Sequence, residues 1–300
     1  TGATVFYNMI SNILRALGNS KTPLYFLVFS SVLNIFLDIL FILPLGMGVA
    51  GAAWATILSQ FLSAVLSLIV GMRRFEVLHL KKDDFANLGN AMTVHLKTGF
   101  PMGFQMSVMC IGQLAMQMVV NSLGTAAVAG YTAASKADQL SVLVNNAMMT
   151  AISNYVAQNF GAGKKERIQQ GVRASLIQTE TFNLLMCAGI LLLRHPIVEL
   201  FMSGPTKEIY HYSDVYLTIV APFYIVLGLL AVYRTAIQSM QNGWAPFAAC
   251  MIELVMRISA TVGLVGMLGY TSVCIASPMA WFGACALLIP CYYRMMKAWK

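Results

Sequence analysis

The chain is dominated by apolar stretches long enough to cross a lipid bilayer. Of its 300 residues, 58% are hydrophobic and only 10% are charged, whereas a soluble domain carries about 25% charged residues. Since a transmembrane helix needs about 20 apolar residues, this pattern predicts an all-α, polytopic transmembrane helical bundle. The nine apolar segments lie at residues 2–17, 23–43, 48–71, 98–122, 125–157, 174–193, 213–239, 246–268 and 272–293.

Basic residues are concentrated in alternate loops. The net charge is +8, and Lys and Arg occur in the loops at 72–97 and 158–173 and in the C-terminal tail, whereas the loops at 44–47 and 122–125 have none. This alternation follows the rule that positive loops stay inside. We therefore expect a multi-pass protein of the cell membrane with a cytoplasmic C-terminus and no nucleic-acid partner.

The longest polar connection, residues 76–97, is expected to be a cytoplasmic linker between two lobes. Three apolar segments precede it and six follow it, so the sequence predicts one lobe at 1–75 and a second lobe at 98–300. Within the first lobe, the small residues Gly51 and Ala55 are spaced for close helix packing.

Asp38 lies inside the apolar segment 23–43, one helical turn after Asn34. An ionisable side chain at such a depth is costly, and it is rarely kept without a partner or a function. At about 1.5 Å per residue, Asp38 is about 22 Å along its helix from the cytoplasmic side, and Asn8 and Thr56 of the adjacent helices reach similar depths. Carboxylate, amide and hydroxyl oxygens suit a proton or a hard cation such as Na⁺. We therefore predict an ion- or proton-binding site at Asp38, Asn34, Asn8 and Thr56; the alternative is that the Asn and Thr side chains tie helices together.

Charged residues also occur in the later segments. Glu253 and Arg257 are four residues apart on one helix face, which favours a neutralised structural pair over the alternative, a substrate site. Lys136 and Asp138 either line a wet cavity or pair with each other. Arg234 is expected near the polar turn after its helix and the lipid surface.

Methionines are frequent in the segment 98–122. Flexible thioethers suit a cavity that accepts varied apolar ligands, although ordinary core or lipid-facing positions are the alternative. The candidate substrate-cavity residues are Gln105, Met106, Met109 and Lys136.

The sequence lacks the motifs of several enzyme classes. It contains no nucleotide-binding loop, no H-E-x-x-H motif and no nucleophile elbow. The six cysteines form no C-x-x-C pair and the four histidines are scattered. We therefore expect no catalytic residues, no cofactor and no metal site beyond a possible Na⁺ at Asp38.

Five motifs together resemble one known family. The first half contains NILRALGNSKTP at 12–23, SSVLNIFLD at 30–38 and GVAGAAWAT at 48–56. The second half contains AGYTAASK at 129–136 and AQNFGAGK at 157–164. These segments are similar to signatures of the multidrug and toxic compound extrusion (MATE) family, and the resemblance spans essentially the whole chain.

The resemblance implies twelve helices in two six-helix lobes, of which this chain would hold the fourth to the twelfth as an N-terminally truncated protein. It implies a secondary antiporter that exports drugs or amphipathic organic cations and metabolites in exchange for H⁺ or Na⁺ by alternating access, as a monomer when full length. Asn8, Asn34, Asp38 and Thr56 match the ion-site positions of the DinF-like branch, whose further Asp lies on a first helix absent from this chain. Met109 stands where the NorM-like branch has a Glu.

Two alternatives remain open from the sequence. A lipid-linked oligosaccharide flippase of the same superfamily should have a more cationic cavity, and the few intramembrane basic residues argue against it. A non-transporting membrane fragment is the second alternative.

Overall fold

The computed structural model describes residues 2–79, 88–202 and 204–299, apart from the side chain of Ala91. These residues are 91% helical and contain no strand. The predicted all-α fold class is therefore confirmed. By its internal contacts the chain divides into two compact units, Thr1–Asn90 (unit 1) and Ala91–Lys300 (unit 2).

Unit 1 is built around helix α3. Its helices are α1 (Gly2–Ala16), α2 (Lys21–Ile42) and α3 (Gly48–Arg74), followed by a 3₁₀ turn at Glu76–Leu78. Helix α3 packs against both α1 and α2. A Cβ atom placed on Gly51 of α3 would lie 2.9 Å from the Cβ of Phe41 in α2. The glycine thus permits the close helix approach that the small-residue spacing predicts.

Unit 2 has a core of long helices in which α5 packs against α6, α7 and α8, and α11 packs against α8 and α9. The buried side chains of these helices form one hydrophobic core that includes Ile168, Leu217 and Tyr224. The helices are α4 (Leu88–Ser122), α5 (Thr125–Gly161), α6 (Lys165–Phe201), α7 (Lys207–Val220), α8 (Tyr224–Ser239), α9 (Trp244–Ile258), α10 (Val265–Leu268) and α11 (Tyr270–Ala298).

Several of these helices are interrupted, and two of the interruptions lie at or near a proline. Helix α6 is kinked at Leu193, where φ is −105° and ψ is 15°, just before Pro196. A proline inside a helix has no N–H to donate and clashes with the preceding turn. Helices α7 and α8 form one apolar stretch joined by the 3₁₀ turn Ala221–Phe223, and α9 continues into a π-helical turn at Ser259–Gly263.

Seven helical stretches of the described residues are long and apolar enough to cross a membrane. Each coincides with one of the predicted apolar segments. Of the two remaining segments, α1 has 15 residues, and α5 is rich in small and polar side chains. The chain is therefore a multi-pass membrane protein.

The predicted linker at 76–97 falls partly on residues 80–87, which lie outside the described residues. Residues 88–97 belong to α4. The lobe boundaries drawn from the sequence stay a prediction.

The packing of α5 on α7 yields a stability test at Gly130. A Cβ atom on Gly130 would lie 2.6 Å from the Cβ of Tyr212 and 2.9 Å from the carbonyl oxygen of Ile209. Because backbone atoms cannot yield as a flexible side chain does, we expect Gly130→Ala to lower stability by about 1–3 kcal/mol, seen as a lower midpoint of heat-induced unfolding in detergent.

Gly189→Ala is the matched control, since a Cβ at this glycine of α6 would meet no atom within 4 Å. Its midpoint should stay the same or rise, because Ala is favoured over Gly in a helix by up to about 1 kcal/mol. Equal midpoints for the two variants would count against the tight α5–α7 contact.

Candidate functional sites

In unit 1, the structure brings two of the four predicted ion-site residues together. Asn34 of α2 donates from Nδ2 to Oγ1 of Thr56 in α3, at 3.5 Å. The Thr56 hydroxyl also donates to the carbonyl oxygen of Ala52, at 3.0 Å. That second bond holds the hydroxyl close to its own helix, with its remaining lone pair facing the amide of Asn34.

Asp38 lies one turn beyond Asn34 on the same helix. Its Oδ1 atom is shielded from water and has no hydrogen-bond partner in the part of the chain that the structure describes. A shielded carboxylate oxygen without a donor is unfavourable. Among the described residues, Oδ1 of Asp38 is therefore an acceptor without a donor, one helical turn from the amide of Asn34 and its partner, the hydroxyl of Thr56.

Asn8, the remaining predicted residue, is exposed on α1. Within the described ranges its side chain makes no hydrogen bond to Asn34, Asp38 or Thr56. The nearby α1–α3 contact is instead bridged one turn earlier, where the Thr4 hydroxyl donates to Oε1 of Gln60 at 2.5 Å.

In unit 2, a cavity of about 520 Å³ collects most of the charged side chains of the membrane-embedded helices. Its walls come from α4, α5, α7, α8, α9 and α11. Tyr131 and Tyr216 meet edge to face within it, with ring centroids 5.4 Å apart. Its charged lining residues are Lys136, Asp138, Arg234, Glu253 and Arg257.

An ion pair joins α8 to α9 at the edge of this cavity. Arg234 donates from Nη2 to Oε1 of Glu253, and both side chains are buried. The expectation that Arg234 contacts a polar turn and the lipid surface is therefore wrong. The expected pair on one helix, Glu253 with Arg257, does not form either, because Glu253 turns toward the neighbouring helix.

Arg257 is left without that carboxylate. It is 8% exposed, and Nη1 donates to the thioether sulfur of Met116 at 3.7 Å. No carboxylate lies within 4.0 Å of its guanidinium among the described residues. A thioether is a weak acceptor, so the charge of this buried arginine is poorly compensated.

The predicted cavity residues divide into two groups. Met109 and Lys136 line the cavity, together with Asp138. Gln105 is buried outside its lining, where Oε1 accepts a hydrogen bond from Nε2 of Gln238 at 2.8 Å. Met106 is 69% exposed and points away from it.

The described residues contain no group of three or more His, Cys, Asp or Glu side chains able to hold a metal ion. The cavity instead offers charged, amide and aromatic groups. Such a set suits reversible binding of an amphipathic organic molecule.

These features define a class of protein: a multi-pass helical membrane protein with a polar cavity inside a helix bundle. The chain belongs to the MatE family, whose profile matches residues 101–262.

Among curated proteins, the probable multidrug resistance protein YpnP of Bacillus subtilis is 32% identical over an alignment of 308 positions. The alignment covers 98% of this chain and 65% of YpnP. The probable multidrug resistance protein NorM of Thermotoga maritima is 28% identical over 82% of this chain and 53% of NorM. The chain thus spans about half to two thirds of the length of these relatives. Their names describe drug resistance, which agrees with the expectation that this chain is not an enzyme.

Among solved structures, a mutant form of the Vibrio cholerae MATE transporter VcmN superposes with a TM-score of 0.90 at 20% identity. The alignment covers 99% of this chain and 67% of VcmN. At this identity the likeness shows the fold alone.

The Arg234–Glu253 pair yields a second prediction. Glu253→Gln leaves a buried guanidinium without its counter-charge, which should lower stability by about 3–5 kcal/mol. The double variant Arg234→Met with Glu253→Met removes both charges and should lose much less, because no lone charge stays buried. Thermal unfolding of the purified protein in detergent measures both. A double variant less stable than Glu253→Gln would show that the pair does not act as a unit.

Proposed function

We propose that the full-length protein is a secondary active antiporter of the cell membrane that exports drugs or amphipathic organic cations and metabolites in exchange for H⁺ or Na⁺. It would work by alternating access, as a monomer with a cytoplasmic C-terminus. Membership of the MatE family and relatives named as multidrug resistance proteins support this proposal. The single observation that carries the ion coupling is the shielded, unpartnered Oδ1 of Asp38.

Asp38 has the properties that a coupling site needs. A carboxylate shielded from water is stabilised when it takes up a proton or a cation. Asn34 and Thr56 supply an amide oxygen and a hydroxyl within reach of the same helix face, which are oxygen ligands that suit Na⁺. No cofactor enters this scheme, since the free energy comes from the ion gradient.

Export follows if the ion and the substrate favour different states of the transporter. An ion bound at Asp38 supplies the partner that its shielded Oδ1 lacks, so it shifts the population toward states in which that site is closed to water. A substrate that favours the opposite state is then released outward. The coupling is reciprocal because it is a free energy shared between two sites.

The flippase alternative would place a lipid pyrophosphate in the cavity of unit 2. Three basic side chains line this cavity, which favours an anionic group, but two carboxylates line it as well. A pyrophosphate carries more negative charge than such a cavity can neutralise. The exporter of small amphipathic molecules therefore remains the better-supported proposal.

The test is efflux from energised vesicles. With the full-length protein reconstituted, we expect a fluorescent organic cation to be exported when an inward H⁺ or Na⁺ gradient is imposed, and Asp38→Asn to reduce that efflux to the level of empty vesicles. The amide keeps the shape of the side chain but carries no negative charge and cannot take up the coupling proton. Imposing each gradient alone identifies the driving ion.

Glu166→Gln is the control, because this exposed glutamate begins α6 far along the chain from the site. Its efflux should equal that of the wild type. Gradient-driven export that persists in Asp38→Asn would remove Asp38 from the coupling step. Absence of export by the wild type under either gradient would refute the antiporter proposal itself.

A further inference from the structure

The cavity of unit 2 carries an excess of positive charge. Its lining includes three basic side chains, Lys136, Arg234 and Arg257, against two acidic ones, Asp138 and Glu253. One positive charge therefore remains when every group is ionised, and two remain if Asp138 is protonated. The net charge of the lining side chains is therefore positive in both cases.

The pairing within the cavity concentrates this excess on Arg257 and Lys136. Glu253 is taken by Arg234. Among the described residues, Asp138 forms no ion pair within 4.0 Å with Lys136 or Arg257. Lys136 makes no hydrogen bond or ion pair in the same part of the chain.

The stem of Arg257 packs closely against helix α4. Its Cδ atom would lie 3.2 Å from a Cβ placed on Gly112 of α4, so the glycine leaves room for the arginine stem. A guanidinium presents a rigid, planar fork of donors that suits a carboxylate or phosphate. Among the described residues, the guanidinium of Arg257 has one acceptor, the thioether sulfur of Met116. Its other N–H donors are therefore available to a ligand.

The rest of the cavity wall suits the apolar body of the same ligand. Tyr131, Tyr216 and Trp281 supply aromatic faces, and Met109 and Met116 supply flexible thioethers. Flexible Met-lined surfaces accept varied shapes. The walls therefore match a molecule with an acidic group at one end and an aromatic body at the other.

We propose that Arg257, assisted by Lys136, is an anion subsite that binds the carboxylate or phosphate of an amphipathic substrate, so that this protein handles zwitterions and monoanions in addition to cations. The subsite deepens the proposed export function and rests on it for its physiological meaning. A bound acid neutralises the excess charge of the cavity, which removes the cost of a lone buried guanidinium. An acidic group on the substrate thereby increases its affinity for this cavity.

The decisive experiment compares two ligands that differ in one group. A carboxyrhodamine zwitterion and its methyl ester share the same cationic dye, but the ester lacks the carboxylate. Fluorescence anisotropy with the full-length protein purified in detergent gives the affinity for each, without any need for transport. We expect the wild type to bind the zwitterion more tightly than the ester.

Arg257→Gln should weaken binding of the zwitterion by about tenfold or more, the loss expected for a charged hydrogen bond, and leave the ester nearly unaffected. Lys136→Met should act in the same direction with a smaller effect. This side chain is exposed and makes no hydrogen bond or ion pair among the described residues, so we expect its replacement to leave folding intact. Arg257→Lys should fall between, because it keeps the charge but loses the planar fork.

Equal affinities of the wild type for zwitterion and ester would overturn the subsite, and so would equal losses for both ligands in Lys136→Met. Preferential displacement of the zwitterion by a lipid diphosphate rather than by a simple aromatic carboxylate would replace the small-molecule assignment with the flippase alternative. Efflux assays separate the two proposals. Zwitterion-selective binding without ion-driven efflux refutes antiport and keeps the subsite, whereas efflux of both dyes without selectivity does the reverse.

Discussion

The ion pair between Arg234 and Glu253 is the interaction on which the chemistry of the cavity in unit 2 depends. A charge inside an apolar helix bundle is costly unless it is paired, and this pair links α8 to α9. By engaging Glu253 from the neighbouring helix, Arg234 separates it from Arg257. The same contact therefore ties two helices together and leaves a buried cation beside an open cavity.

Each candidate site contains a charged group that lacks a full set of partners among the described residues. In unit 1 it is Oδ1 of Asp38, and in the cavity of unit 2 it is the guanidinium of Arg257, whose described acceptor is a thioether. Each is costly in the absence of a ligand, because desolvation of a charge is offset only by a counter-charge or hydrogen bonds. A bound cation in one unit and a bound acid in the other each remove such a cost, and a ligand that binds only the folded state stabilises it.

The sequence predicts the helices well because the bilayer imposes their length and apolarity. Each of the predicted apolar segments falls on helical structure, although those at 213–239 and 246–268 each cover two helices and the turn between them. The Asn34–Thr56 contact agrees with a count of residues along α2 and α3. Both inferences use only the helical rise and the order of segments. The small residue at Gly51 likewise marks a close helix approach before any coordinates are known.

The sequence does not predict which side chains pair across neighbouring helices. Glu253 and Arg257 share a helix face at a spacing that favours pairing, yet Glu253 pairs with Arg234 on another helix. That choice depends on the rotation of α8 and α9 about their axes, which local spacing does not encode. The position of Gln105 shows the same limit, since it lies beside Met106 in the sequence but is buried against Gln238.

The Arg257 site follows from this limit. A basic residue four positions after an acidic one looks neutral in the sequence, so no local pattern marks it as a binding group. The site is recognisable only in the structure, where Arg234 of the neighbouring helix pairs with Glu253 and Gly112 leaves room for the stem of Arg257. In a membrane protein, the charge left over after cross-helix pairing is therefore a better indicator of a ligand site than the charges counted along any one helix.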